Sequence, residues 1–155
     1  LGHEKLYKSY SLEHEWDSRI NVGFLDSMPE IYRHRSQDRN LGTTNYVTVS
    51  GQGSVTGDGE KQFKLDEIRD DPTTTILVSE VIAQIPWTSP EDVVLDPAKS
   101  LPKLGGSYPD AWQVAMADGS VQQIPTDTSD ATLRAMMTRD GDEVVEKNEG
   151  KFELR

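Results

Sequence analysis

The chain has 155 residues, a formal charge of −11, no cysteine, and 34% apolar residues alongside 12 glycines. One domain of this size buries a real core, but a lean one with long polar connections. The acidity argues against nucleic acid and anionic membrane surfaces as partners. The missing cysteine excludes disulfides, thiolate metal sites and cysteine nucleophiles.

In chain order, residues 1–12 read as the end of a helix, with Leu6 and Tyr10 spaced i, i+4 and Tyr7 beside them. The start Leu1-Gly2-His3-Glu4 has no initiator methionine and reads as a chain that continues upstream. Residues 13–17 are a polar turn. Asn21 is placed to cap a short helix over 22–27, which Pro29 ends. Residues 31–40 are basic and irregular, a loop.

Residues 44–50 alternate, with Val47 and Val49 on one face and Tyr46 and Thr48 on the other, which predicts a strand. A glycine-rich loop covers 51–59, and one helical turn is expected over 65–70. Residues 73–85 are β-branched and apolar around Ile76, Leu77, Val78, Val81 and Ile82. They are expected to form the central strand, ended by Pro86. Five of the eight prolines fall in 86–110, a long ordered loop.

Trp112, Val114 and Met116 share one face of a strand over 112–117. Asp118-Gly119 predicts a two-residue type I′ turn, pairing Met116 with Val121 and Val114 with Gln123. That register leaves Ile124 on the opposite face unless a bulge intervenes. Ser129 caps a last helix to Thr138, with Leu133, Met136 and Met137 as its apolar stripe. Arg134 and Arg139 suit its C-terminal half, and Gly141 stops it. Residues 13–146 thus form the core domain and 147–155 a charged tail expected to fray.

The catalytic motifs fail on inspection. After Gly51 and Gly53 the third glycine falls at 57, one place late for a dinucleotide fingerprint, and no P-loop or nucleophile elbow exists. Ser100-Leu101-Pro102-Lys103 has the spacing of a Ser/Lys nucleophile, but that chemistry needs a helical turn that Pro97 and Pro102 oppose. His3, His14 and His34 have no metal-ligand spacing. The chain therefore reads as a non-enzyme that calls for no cofactor. Carboxylate clusters suit calcium best, and Asp140, Asp142 and Glu143 are the densest, with Asp70-Asp71 another; neither follows a calcium-loop pattern. Trp87, Tyr108 and Trp112, with Asp110 or Asp118 bonding hydroxyl groups, are the candidate lining of a solute- or glycan-binding site.

The hairpin stretch Trp112-Gln113-Val114-Ala115-Met116-Ala117-Asp118-Gly119-Ser120-Val121 resembles the "F-N-V-A-F-A-D-G-S-V" signature of a planctomycete pilin-like family of unknown function. That family ends in an H-x9-DG motif and once carried the label of a bacterial extracellular solute-binding family. Leu6-Tyr7 with Glu15-Trp16-Asp17-Ser18 resembles its "L-Y…E-P-W-D-S", and Met28-Pro29-Glu30-Ile31-Tyr32-Arg33 its "M-P-x-V-Y-R". Residues 70–80, Pro86 to Asp92, and Thr132 to Arg139 resemble "D-G-T-S-N-T-I-L-V-V-E", "P-W-T-K-P-E-D" and "T-L-R-A-L-x-T-R". The pieces occur in the family's order over residues 5–146. Tyr108 stands where the family has its histidine, and His34 replaces a usual cysteine.

The resemblance implies an α+β, pseudopilin-like fold: an N-terminal helix, the end of a pilin-type stem, packed on an antiparallel sheet with long loops and a C-terminal helix. It implies an extracytoplasmic, non-catalytic structural or assembly module, membrane-anchored through an upstream leader and hydrophobic helix. Its partners would be other proteins or further copies of itself. The alternative is an extracytoplasmic solute- or glycan-binding module.

Overall fold

A computed structural model describes residues 2–34, 42–57, 63–106 and 108–155. The later part of the basic loop, residues 58 and 59 of the glycine-rich loop and residues 60–62 after it lie outside the described residues. The fold is mixed α and β, with few helices and one five-stranded sheet.

The strands follow the alternation of the sequence. In β1 (Thr43–Ser50) Val47 and Val49 are buried while Tyr46 and Thr48 are only part-buried. β2 (Ile76–Pro86) is the middle strand of the order β3-β1-β2-β4-β5, as its apolar run requires. Proline has no N–H for the ladder, and the strand stops at Pro86.

The sheet is mixed rather than wholly antiparallel. β4 (Ala111–Met116) runs antiparallel to β2 and to β5 (Val121–Pro125), but the two-residue β3 (Val93–Val94) lies parallel to β1, Val49 opposite Val93. A strand this short after a proline-rich loop takes its direction from where the loop delivers it.

The β4–β5 register departs from expectation by one residue: Ala115, not Met116, faces Val121, and Trp112 faces Ile124. Only Gly119 has positive φ in the turn, at 85°; Asp118 does not. Gly119 donates to the Met116 carbonyl at 3.0 Å, and Met116 N–H to Ser120 at 2.9 Å. The loop is therefore the three-residue kind, a turn followed by a left-handed glycine. This shift brings Ile124, fully buried, onto the same face as Trp112, Val114 and Met116.

α2 (Asp130–Met137) starts where the sequence places it. Ser129 Oγ accepts the Thr132 N–H at 3.1 Å, and Leu133, Met136 and Met137 are buried. The expected fraying tail is instead a hairpin: β6 (Val145–Asn148) pairs with β7 (Lys151–Leu154). Glu149 and Gly150 both have positive φ, at 49° and 84°, the pattern of a tight two-residue turn. One apolar side chain, Phe152, is 4% exposed and secures it.

α1 (Glu4–Ser9) is shorter than expected and buries none of its residues, so it does not pack into a core in the way a stem helix on a sheet would. Asn21 does not cap the 3-10 turn over Val22–Ser27. It is fully buried and ties the chain before it together: its amide nitrogen donates to the carbonyls of Ser11, His14 and Glu15 at 2.8–3.0 Å, and its oxygen accepts the Ser11 N–H at 3.1 Å.

Contacts divide the chain into two compact units, Leu1–Tyr46 with Ala83–Glu91, and Val47–Ile82 with Asp92–Arg155. Two of the three boundaries fall inside β1 and β2, and the third between Glu91 and Asp92. The buried core of strands and α2 belongs to the second unit; α1, Asn21 and Trp87 belong to the first.

Candidate functional site

The first unit holds an open, mainly apolar groove of about 270 Å³. One wall comes from α1 and the residues after it: Leu6, Tyr7, Tyr10 and Leu12, with His3 at the end. The other comes from Pro29, Tyr32, Trp87 and Thr88. Helical spacing puts Leu6 and Tyr10 on one face, and the chain leaves the helix at Tyr10 in extended conformation, which carries Leu12 along the same wall.

The far wall is fixed by Trp87. Its indole Nε1 donates to the Phe24 carbonyl at 3.1 Å, its backbone N–H donates to the Gly42 carbonyl at 3.1 Å, and its ring stacks on Tyr32 with centroids 5.8 Å apart. Phe24 in turn meets Tyr10 in a T-shaped arrangement, ring centroids 5.5 Å apart. Tyr7 is 66% and Leu12 72% exposed. Apart from His3, Thr88 and the hydroxyls of three tyrosines, the lining is aromatic and aliphatic carbon. Such a lining suits apolar contact.

The sequence-predicted ligand residues are not gathered into one site. Trp112 is 3% exposed and belongs to the core of the second unit, so it cannot stack on a ligand. Gly105 is packed against it: a β-carbon there would sit 2.7 Å from Trp112 Cβ. Tyr108 is half exposed and Asp110 exposed, both just before β4. The Asp118 carboxylate is taken by its own turn. It accepts the Ser120 N–H at 2.9 Å, and this bond, then the Ser120 hydroxyl, holds its pKa below the usual carboxylate value. Trp87 lies in the first unit and lines the groove.

Of the acidic candidates, Asp70 is engaged by backbone N–H groups. Asp70 accepts the N–H groups of Gly141 and Asp142 at 3.0 and 3.3 Å and the Thr138 hydroxyl at 3.2 Å. Asp140 lies 3.8 Å from Arg139. Among the described residues no three His, Asp or Glu side chains converge on a metal-sized site, Asp140, Asp142 and Glu143 included. Ser100 and Lys103 lie in irregular chain, without the helical turn that Ser/Lys chemistry needs.

The groove was missed because its parts are far apart in sequence. The available signal was the aromatic richness of the first 32 residues together with Trp87. No protein-family model, curated protein or solved structure matches the chain.

Proposed function

We propose that this chain is a non-catalytic, pilin-like extracytoplasmic module that assembles with further copies of itself through the apolar groove beside α1. The observation that carries the reading is the groove: four aromatic side chains, Tyr7, Tyr10, Tyr32 and Trp87, line it, with Tyr7 and Leu12 largely exposed beside them. Leaving such side chains in water forgoes about 1.5–3 kcal/mol each that burial would return. An exposed apolar patch of this kind marks an interaction surface. In the pilin-like reading, α1 is the last turn of a hydrophobic stem, and the groove receives the stem of a neighbouring subunit. The family resemblance of the hairpin and of the Leu6-Tyr7 and Pro86-Trp87 stretches supports the same assignment.

The coding sequence upstream of Leu1 tests it. The reading expects a pilin-type leader of the Gly-Phe-Thr-Leu-x-Glu kind, followed by about 20 apolar residues running into α1. An upstream region with neither contradicts it.

A further inference from the structure

The second unit contains an element held quite differently from its surroundings. Up to Asp142 the chain after α2 is firmly tied. Arg139 N–H donates to the Gly53 carbonyl at 2.9 Å, and the Arg139 carbonyl accepts from the N–H groups of Arg69 and Asp70 at 2.7 and 3.1 Å. The Arg139 guanidinium bonds the Ser54 carbonyl at 2.6 Å and lies 3.7 Å from the centre of the Phe63 ring. Asp70 then fixes the N–H groups of Gly141 and Asp142.

Beyond Asp142 the ties change in kind. The β6–β7 hairpin lies against α2 and β5 with one buried side chain, Phe152. Its side-chain ties to the rest of the unit are Lys147 to Gln122 and Lys151 to Asp127. In the second of these both side chains are more than 60% exposed, where an ion pair contributes little. The remaining ion pair, Arg155 with Glu146 at 2.7 Å, is internal to the hairpin and holds it as a unit. Between β7 and the start of α2 lies a cleft of about 460 Å³, so the hairpin is not packed down along that side.

We propose that the β6–β7 hairpin is a hinged strap. Seated by Phe152, it forms one wall of the cleft at the N-terminal end of α2, and it comes away and unzips from Asp142–Glu143 onward while the rest of the unit stays folded. The hinge falls where backbone ties end, and Asp142 already sits at a φ of 62°, outside the helical and extended regions.

Amide hydrogen exchange on the full chain tests this. The N–H groups of Glu146–Leu154 that bond across the hairpin are expected to exchange through a local opening that denaturant barely accelerates. Those of β4 and α2 should exchange only through global unfolding. Phe152→Ala should raise hairpin exchange at least about tenfold and leave β4 unchanged. Asp70→Ala, which frees Gly141 and Asp142, should extend the fast segment back to residue 141. Hairpin amides that share the rate and denaturant dependence of β4 in the unaltered protein overturn the proposal. So does a Phe152→Ala variant in which hairpin and β4 accelerate together.

Discussion

The indole of Trp87 donates a hydrogen bond of 3.1 Å to the carbonyl oxygen of Phe24, joining the residue after the central strand to the 3-10 turn near the start of the chain. This bond sets the back wall of the groove. Trp87→Phe keeps most of the ring but leaves the Phe24 carbonyl without its donor, and is expected to cost about 1 kcal/mol. Trp87→Ala also removes the stack on Tyr32 and is expected to cost about 3 kcal/mol. Urea unfolding followed by far-ultraviolet circular dichroism measures both; equal midpoints for wild type and Trp87→Phe contradict the assignment.

Asn21 gives a sharper test, because its amide both donates and accepts. Asn21→Ala strands three carbonyls and one N–H, and a loss of about 3 kcal/mol is expected. Asn21→Asp should be worse at neutral pH. A carboxylate at this fully buried position would face three carbonyl oxygens, so burial and repulsion raise its folded pKa above the unfolded value. A raised folded pKa means that whatever stability the variant keeps is fully present below the unfolded pKa and is lost as pH rises through the folded one. The urea midpoint of Asn21→Asp should therefore fall from pH 4 to pH 7 relative to Asn21→Ala. A flat difference would show that the side chain is not held among those carbonyls.

Two carboxyls should titrate low. Asp96 accepts the Ala98 N–H at 2.9 Å and pairs with Lys99, and Asp118 accepts the Ser120 N–H; each is held below 3.8 by those bonds, the backbone donor first. With folded values depressed, the support these carboxylates give is present above the unfolded pKa and lost as pH falls through the folded one. Carboxyl carbon chemical shifts should show midpoints below 3.8 for both. A midpoint at or above 3.8 for Asp118 would mean that the turn does not use its side chain.

Two glycines separate conformational cost from crowding. Gly119 and Gly105 both have positive φ, 85° and 68°, but a β-carbon at Gly119 meets nothing within 4 Å while one at Gly105 meets Trp112 Cβ at 2.7 Å. Gly119→Ala should cost about 1 kcal/mol, the left-handed penalty alone. Gly105→Ala should cost clearly more, because backbone or the Trp112 ring must move. Equal losses on thermal melting would contradict the packing of Trp112.

Elements whose own residues carry a strong period were legible in the sequence. β2 is read from its unbroken apolar run, β4 from Trp112, Val114 and Met116, and α2 from the Ser129 cap with Leu133, Met136 and Met137. The β4–β5 register was not legible, because Asp-Gly suits both a two-residue turn and a three-residue loop. The burial of Ile124 decides between them, and only tertiary packing shows it. The β6–β7 hairpin was hidden by charge: Phe152 is the one buried side chain among Glu146, Lys147, Glu149, Lys151 and Glu153. The parallel β3 carries no local signal at two residues. The candidate site was half legible, since Trp87 was singled out but placed with Trp112, whose ring the core takes. Proximity of Trp87 to Tyr32 and to Tyr10 arises from the chain path, which no local pattern encodes.

The central claim is that the groove beside α1 is where copies of this chain meet. Photo-crosslinking in the cells that make the protein tests it most directly, with benzoylphenylalanine in place of Tyr7 and, separately, of Val121. The two positions are matched in exposure, 66% and 67%, and only Tyr7 lines the groove. The account predicts that the probe at Tyr7 gives an adduct whose second peptide comes from another copy of the chain, and that the probe at Val121 gives none. A probe at Tyr7 that stays monomeric, or self-adducts in equal yield from both positions, would contradict it.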